Sequence, residues 1–121
     1  MSLAWLRRTG AGALMAGGVA VASPAAAQER SVIYEGWRQY MVHCARCHGD
    51  DAVGGLMAPD VRFSLARGAV DEQSFRVVVL EGRREKGMPG FTDVLSEDQV
   101  AAIYAYVAAR ASGRVNAGRP A

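Results

Sequence analysis

A chain of 121 residues, half of them apolar, has room for one compact domain and no second one. Its formal charge of +2 arises from 14 basic against 12 acidic residues, and two of the basic ones, Arg7 and Arg8, belong to a leader. Without them 12 basic residues face 12 acidic ones, so the apparent basicity gives no ground for a nucleic-acid partner.

The first stretch has the pattern of a secretory signal. Met1 to Arg8 ends in two arginines, Thr9 to Val21 is built almost wholly from Gly, Ala, Val, Leu and Met, and Ala25-Ala26-Ala27 follows. A charged start, a short apolar middle and small residues at the end predict cleavage between Ala27 and Gln28. The apolar run is short for a bilayer span and is interrupted by glycine. The expectation is therefore a signal over residues 1–27 and an exported domain over residues 28–121, periplasmic, monomeric and without stable membrane insertion. A domain of that size buries only about two-thirds of its unfolded surface, so an added group in the core would help it.

From Ser31 onward, Tyr34, Trp37, Met41 and Cys44 recur at steps of three and four, which predicts one stripe of a helix. It leads into Cys44-Ala45-Arg46-Cys47-His48, which holds both cysteines of the chain. Cys-x-x-Cys-His is the attachment signature of c-type haem. Two thiols add across the two vinyl groups on one porphyrin edge, and the adjoining imidazole reaches the iron. Structural zinc requires four ligands, and His43 is the only other histidine. A thioredoxin-like pair belongs to a βαβ unit that cannot be read here, and a plain disulfide gives His48 no role. One covalent haem c per chain is the expected cofactor, with Cys44, Cys47 and His48 holding it.

Gly49 to Pro59 is a loop, marked by Asp50-Asp51 and Gly54-Gly55. Asp71 looks like the N-cap of a helix through Phe75, Val78 and Val79 that ends at Gly82. In Lys86-Gly87-Met88-Pro89-Gly90-Phe91, two glycines and a proline force a stiff loop. The last helix carries a capping box, Ser96 with Gln99, and acidic Glu97 and Asp98 in its first turn. Its apolar stripe is Val100, Ile103, Tyr104 and Val107, and Gly113 ends it. No segment alternates well enough to be a strand, so the domain is expected to be all-α.

Iron needs a sixth ligand or keeps an open site. Met1 and Met15 leave with the signal, and Met41 and His43 lie beside the attachment on the wrong side of it. Met57 is nine residues past His48, a short path around a porphyrin edge, whereas Met88 is forty residues past it. An unbranched thioether in a stiff loop suits distal ligation, and His plus Met is a recognised axial pair for haem iron. The other reading of Met88 is apolar loop filling. With His48 and Met88 both on iron, no position is open for oxygen or peroxide. Gly55, Leu56, Met57 and Ala58 are the residues expected to ring an exposed haem edge.

Gly36 lies eight residues before Cys44, and Tyr106 sits on the last helix. In this the chain resembles class I cytochromes c, where a glycine and an aromatic meet at the crossing of first and last helices. The resemblance implies that fold, with helices and loops wrapped around one haem. It also implies that Pro59, in Ala58-Pro59-Asp60, lends its carbonyl to the proximal imidazole; an ordinary loop proline is the other reading. A narrower similarity covers Tyr34-Glu35-Gly36-Trp37-Arg38-Gln39-Tyr40, Cys47-His48-Gly49-Asp50, Gly87-Met88-Pro89-Gly90-Phe91, and a tail formed by Ile103-Tyr104-Ala105-Tyr106, Ala109-Arg110-Ala111-Ser112-Gly113 and Gly118-Arg119-Pro120. These segments are similar to small cytochromes that serve pyrroloquinoline-quinone (PQQ) alcohol dehydrogenases. The similarity implies an electron carrier and no enzyme, with such a dehydrogenase as donor and a downstream cytochrome or oxidase as acceptor. Cytochromes paired with methanol dehydrogenase are often longer and strongly acidic, which leaves the donor's alcohol open. Two alternatives stand beside it: a haem subunit fixed in a larger dehydrogenase or oxidase complex, and a sensor or peroxidase with an open iron site.

Overall fold

Ser23 opens the first helix, α1 (Pro24–His43): its hydroxyl accepts the Ala26 N–H, and Pro24 takes the first turn, where a missing N–H is no loss. The structure is a computed structural model that describes residues 17–121. Arg7, Arg8 and the first part of the apolar run assigned to the signal lie outside the described residues. The remaining helices are α2 (Ala45–His48), α3 (Val61–Ala66), α4 (Glu72–Glu81) and α5 (Glu97–Ala111), with 3₁₀ turns at Asp50–Ala52 and Arg84–Lys86. Among the described residues no strand forms, and Arg83 and Met88 make an isolated antiparallel bridge.

Two helices lie where their caps predict. Asp71 and Ser74 form a capping box on α4, Gly82 closes it at φ 78°, and Ser96 with Gln99 does the same for the start of α5. Gly113, at φ 74°, follows the end of α5. The helix α3 is an addition to the expected elements. Asp60 caps it by accepting the Phe63 N–H and pairs with Arg62.

The stripe expected on α1 needs correction. Its buried face is Ile33, Gly36 and Tyr40, whereas Tyr34 and Trp37 are half-buried and Met41 is 37% exposed. The cause is the partner helix. A β-carbon on Gly36 would sit 1.9 Å from the Ala102 carbonyl oxygen, so α1 and α5 cross with their backbones almost touching. Beside that point the rings of Tyr40 and Tyr106 pack at 5.4 Å. On α5, Val100, Ile103, Tyr106 and Val107 are all but fully buried. Both α3 and α4 also pack on α5, with Phe75 edge-on to Tyr104 at 5.4 Å and an Arg76–Glu97 ion pair.

Candidate functional site

The end of α1 delivers the first thiol. Cys44 caps the helix, its N–H donating to the Tyr40 carbonyl at 2.8 Å, and α2 then carries Cys47 and His48 within one turn. Beyond His48 the chain must fold back sharply. Gly49 at φ 77° allows this, because a β-carbon there would meet the Gly54 carbonyl oxygen at 2.4 Å. The loop is closed by Gly54 N–H donating to the His48 carbonyl at 2.7 Å and Gly55 N–H to the Ala58 carbonyl at 2.9 Å. From α1, the Tyr40 hydroxyl donates to the Gly49 carbonyl at 2.7 Å.

This fold-back brings the Pro59 carbonyl 2.9 Å from His48 Nδ1. A carbonyl can only accept, so Nδ1 carries the proton and Nε2 keeps its lone pair. The imidazole is thereby fixed in orientation and tautomer, with one nitrogen free to bind a metal.

A second loop approaches from the end of α4. Arg83 and Met88 exchange both backbone hydrogen bonds, at 2.9 and 3.1 Å, which pins the backbone of Met88. A β-carbon on Gly82 would meet Gly90 N at 2.5 Å, and one on Gly90 would meet the Leu80 carbonyl oxygen at 2.6 Å. Only glycine lets the loop press so closely on the helix end. Phe91 N–H and the Thr92 hydroxyl fasten it there by donating to carbonyls of α4.

Cys44, His48, Pro59 and Met88 line one open cleft, with Val61, Phe75 and Val79 among its apolar walls. Ser64 and Arg83 bring polar groups to its lining. A larger hollow lies between the start of α1 and the tail and shares no residue with this cleft. Of the methionines among the described residues, Met88 alone lines the cleft, while Met57 is 79% exposed and Leu56 fully so. His43 stands edge-on to Phe91 at 5.9 Å. Burial, and then the neighbouring Cys47, push the Cys44 thiol up to about 12. It stays protonated at neutral pH, unlike the acidified thiol of a redox dithiol. Among the described residues no group of three or more His, Cys, Asp and Glu is placed to hold a metal ion. Two thiols one turn apart, a histidine with a free ring nitrogen, a thioether and apolar walls form a donor set that fits an iron porphyrin.

Sequence reasoning missed Tyr40, Ser64 and Arg83 as site residues. Tyr40 could have been found as the aromatic one turn before Cys44. Ser64 depends on α3, which carries no apolar period.

The family model described as "Cytochrome C oxidase, cbb3-type, subunit III" matches residues 32–107. Quinohemoprotein alcohol dehydrogenase ADH-IIG of Pseudomonas putida is 34% identical over 73% of this chain, and the match covers 12% of that protein. Cytochrome c550 of Pseudomonas aeruginosa is 38% identical over 56% of this chain and 48% of its own. Cytochrome c-553I of Paracoccus denitrificans is 35% identical over 73% of this chain and 41% of its own. The chain thus spans less than half the length of these relatives. The crystal structure of the c-type cytochrome XoxG from Methylobacterium extorquens AM1 superposes with a TM-score of 0.65 at 31% identity, over 74% of this chain and 57% of that one. The family span takes in the haem-attachment motif, the Met88 loop and the contact of Gly36 with Ala102 and Tyr106, and on these grounds the chain belongs to the c-type cytochrome family, whose cofactor is covalently bound haem c.

Proposed function

We propose that this chain is a periplasmic single-electron carrier, released by signal cleavage after Ala27, with His48 and Met88 as the axial ligands of a haem joined to Cys44 and Cys47. One observation carries it: Cys44, His48 and Met88 line the same apolar cleft. When bound, the haem supplies a one-electron change at iron. The protein's own groups do the rest. The Pro59 carbonyl orients the His48 imidazole and makes it a stronger donor. The glycine-built loop holds the Met88 thioether in place, and its soft sulfur favours the ferrous state. With both positions filled, oxygen and peroxide have no entry, which separates a carrier from a sensor or a peroxidase.

The donor in this proposal is a PQQ alcohol dehydrogenase, and the acceptor is a downstream cytochrome or terminal oxidase. Relatives named as quinohemoprotein alcohol dehydrogenases contain a stretch similar to this chain, which supports that pairing. Val53, Leu56, Met57 and Phe63 stand exposed around the loop that follows the haem motif and offer an apolar contact to a partner. The first turn of α1, Pro24 to Ala27, contributes nothing to the buried core, so cleavage at Ala27 leaves Ile33, Gly36 and Tyr40 packed as they are. Among the described residues no helix is long and apolar enough to cross a membrane.

The decisive experiment mixes oxidised holoprotein with PQQ alcohol dehydrogenases from the same cell and adds alcohol. Rapid reduction is expected; no reduction by any of them overturns the pairing. In parallel, Met88→Ala is expected to abolish the sulfur-to-iron charge-transfer band and lower the potential, and persistence of the band removes Met88 from the iron. The second reading, a subunit fixed in a larger complex, is favoured by the oxidase-subunit description of the family and by the greater length of the relatives. Gel filtration of the exported protein separates the two, since a free carrier elutes as a monomer.

A further inference from the structure

Asp51 and Ala52 both take left-handed backbone angles, φ 61°, in the turn straight after α2. Two successive non-glycine residues there are strained, and the arrangement persists only where the surroundings hold it. Ala52 is completely buried, and Asp51 is held from two sides. Arg110, in the last turn of α5, donates its Nε–H to the Asp51 carbonyl at 3.2 Å and its Nη1–H to the Val115 carbonyl at 2.9 Å. The Gly118 N–H donates to the Asp51 carboxylate at 2.7 Å. Arg119 then lies over the rings of Tyr34 and Trp37 on α1, 5.1 and 6.0 Å from their centroids. The tail therefore runs from the end of α5 back to α1 and grips the strained turn on the way. None of Asp51, Arg110, Val115, Gly118 and Arg119 lines the haem cleft. The turn they grip belongs to the loop that ends at Pro59, whose carbonyl meets His48 Nδ1.

We propose that Arg110, Asp51 and the tail from Val115 to Arg119 form a strap that positions the Pro59 carbonyl against His48 and so sets the electron affinity of the iron without touching haem or ligands. The inference rests on His48 being an iron ligand. A well-held Nδ1–H···O bond makes the imidazole a stronger donor and favours the ferric state. Loosening the strap must therefore raise the potential.

The test uses holoprotein, with midpoint potential and solvent exchange of the His48 Nδ1–H as readouts. Arg110→Gln and Asp51→Ala are expected to raise the potential and to speed that exchange. Asp51→Asn keeps an acceptor for Gly118 N–H and tolerates the left-handed backbone, so it is expected to stay near wild type in both. Ser96→Ala, which weakens α5 by removing its cap, controls for mere loss of stability and is expected to move neither readout. In the wild-type protein, the Gly118 N–H and the His48 Nδ1–H are expected to exchange through a common opening as denaturant is raised. Wild-type potentials in Arg110→Gln and Asp51→Ala, or independent opening of the two protons, overturn the strap. A wild-type protein that carries no haem on His48 fails at the ligand assignment instead.

Discussion

A methyl group at position 36 would lie 1.9 Å from the Ala102 carbonyl oxygen, a clash that only separation of the two backbones can relieve. Gly36→Ala is expected to cost about 3 kcal/mol, read as a lower urea midpoint at an unchanged slope. A variant as stable as wild type would mean that the crossing widens freely. The two tyrosines beside it differ in their polar ends. Tyr40 donates to the Gly49 carbonyl, whereas the Tyr106 hydroxyl is buried beside the Arg110 guanidinium and donates to no carbonyl of the described residues. Burial raises both phenols above their ordinary range, so neither ionises at neutral pH. Tyr40→Phe deprives the half-buried Gly49 carbonyl of its donor and is expected to lose about 1 kcal/mol. Tyr106→Phe removes a hydroxyl that donates to no carbonyl of the described residues and is expected to lose less than Tyr40→Phe. Denaturation of the two variants side by side checks this, and equal losses would contradict it.

At the scale of elements, legibility followed the kind of signal each helix carries. The start of α4 is written in Asp71 and the start of α5 in Ser96 and Gln99, because capping is local chemistry that a sequence displays. The buried face of α1 was misjudged by one residue because its centre is Gly36, a residue without hydrophobicity to show. The aromatic side chains Tyr34 and Trp37, which suggested a core stripe, instead lie beneath Arg119. The six residues of α3 are too few to display a period, and the cleft wall they supply was invisible with them. Cys44, Cys47, His48 and Met88 were legible as candidates because a motif and a stiff loop mark them, whereas the strap joins residues far apart in sequence. The caps also carry a pH dependence. Arg62, aided by the Phe63 N–H, holds Asp60 below the usual carboxylate range, and Ser74 does the same for Asp71. A folded pKa below the unfolded one adds stability above the unfolded value, about 3.9, that is lost as pH falls through the folded one. Stability is therefore expected to fall in acid below about pH 4, and the double variant Asp60→Asn, Asp71→Asn to show a shallower fall. An unchanged acid slope would assign the loss to other carboxylates.

For the whole molecule, the cleft lies among α1, α2, α3, α4, Val107 of α5 and the Met88 loop, so the group that fills it joins most of the body together. Unfilled, the walls lose those contacts. Cys44→Ser and Cys47→Ser are each expected to leave little stable holoprotein, measured as haem content and thermal midpoint. Normal amounts, spectrum and heat resistance in either variant would refute the dependence on the tether. Since 12 acidic residues balance the 12 basic ones of residues 28–121, reduction by a partner is expected to slow only modestly with added salt. The crossing at Gly36 and Ala102 also dictates an order of assembly. Gly36 meets Ala102 and Tyr40 packs on Tyr106, both on α5, so a growing chain cannot complete this contact until its last helix has been made. Until then nothing from α5 packs over Cys44, and both thiols remain within reach of whatever attaches the haem. Once α5 arrives, Val107 joins Cys44 in the lining of the cleft and burial holds the Cys44 thiol protonated, which works against attachment after folding. A chain cut just before Ser96 should therefore still accept haem on its cysteines and yet never lock around it.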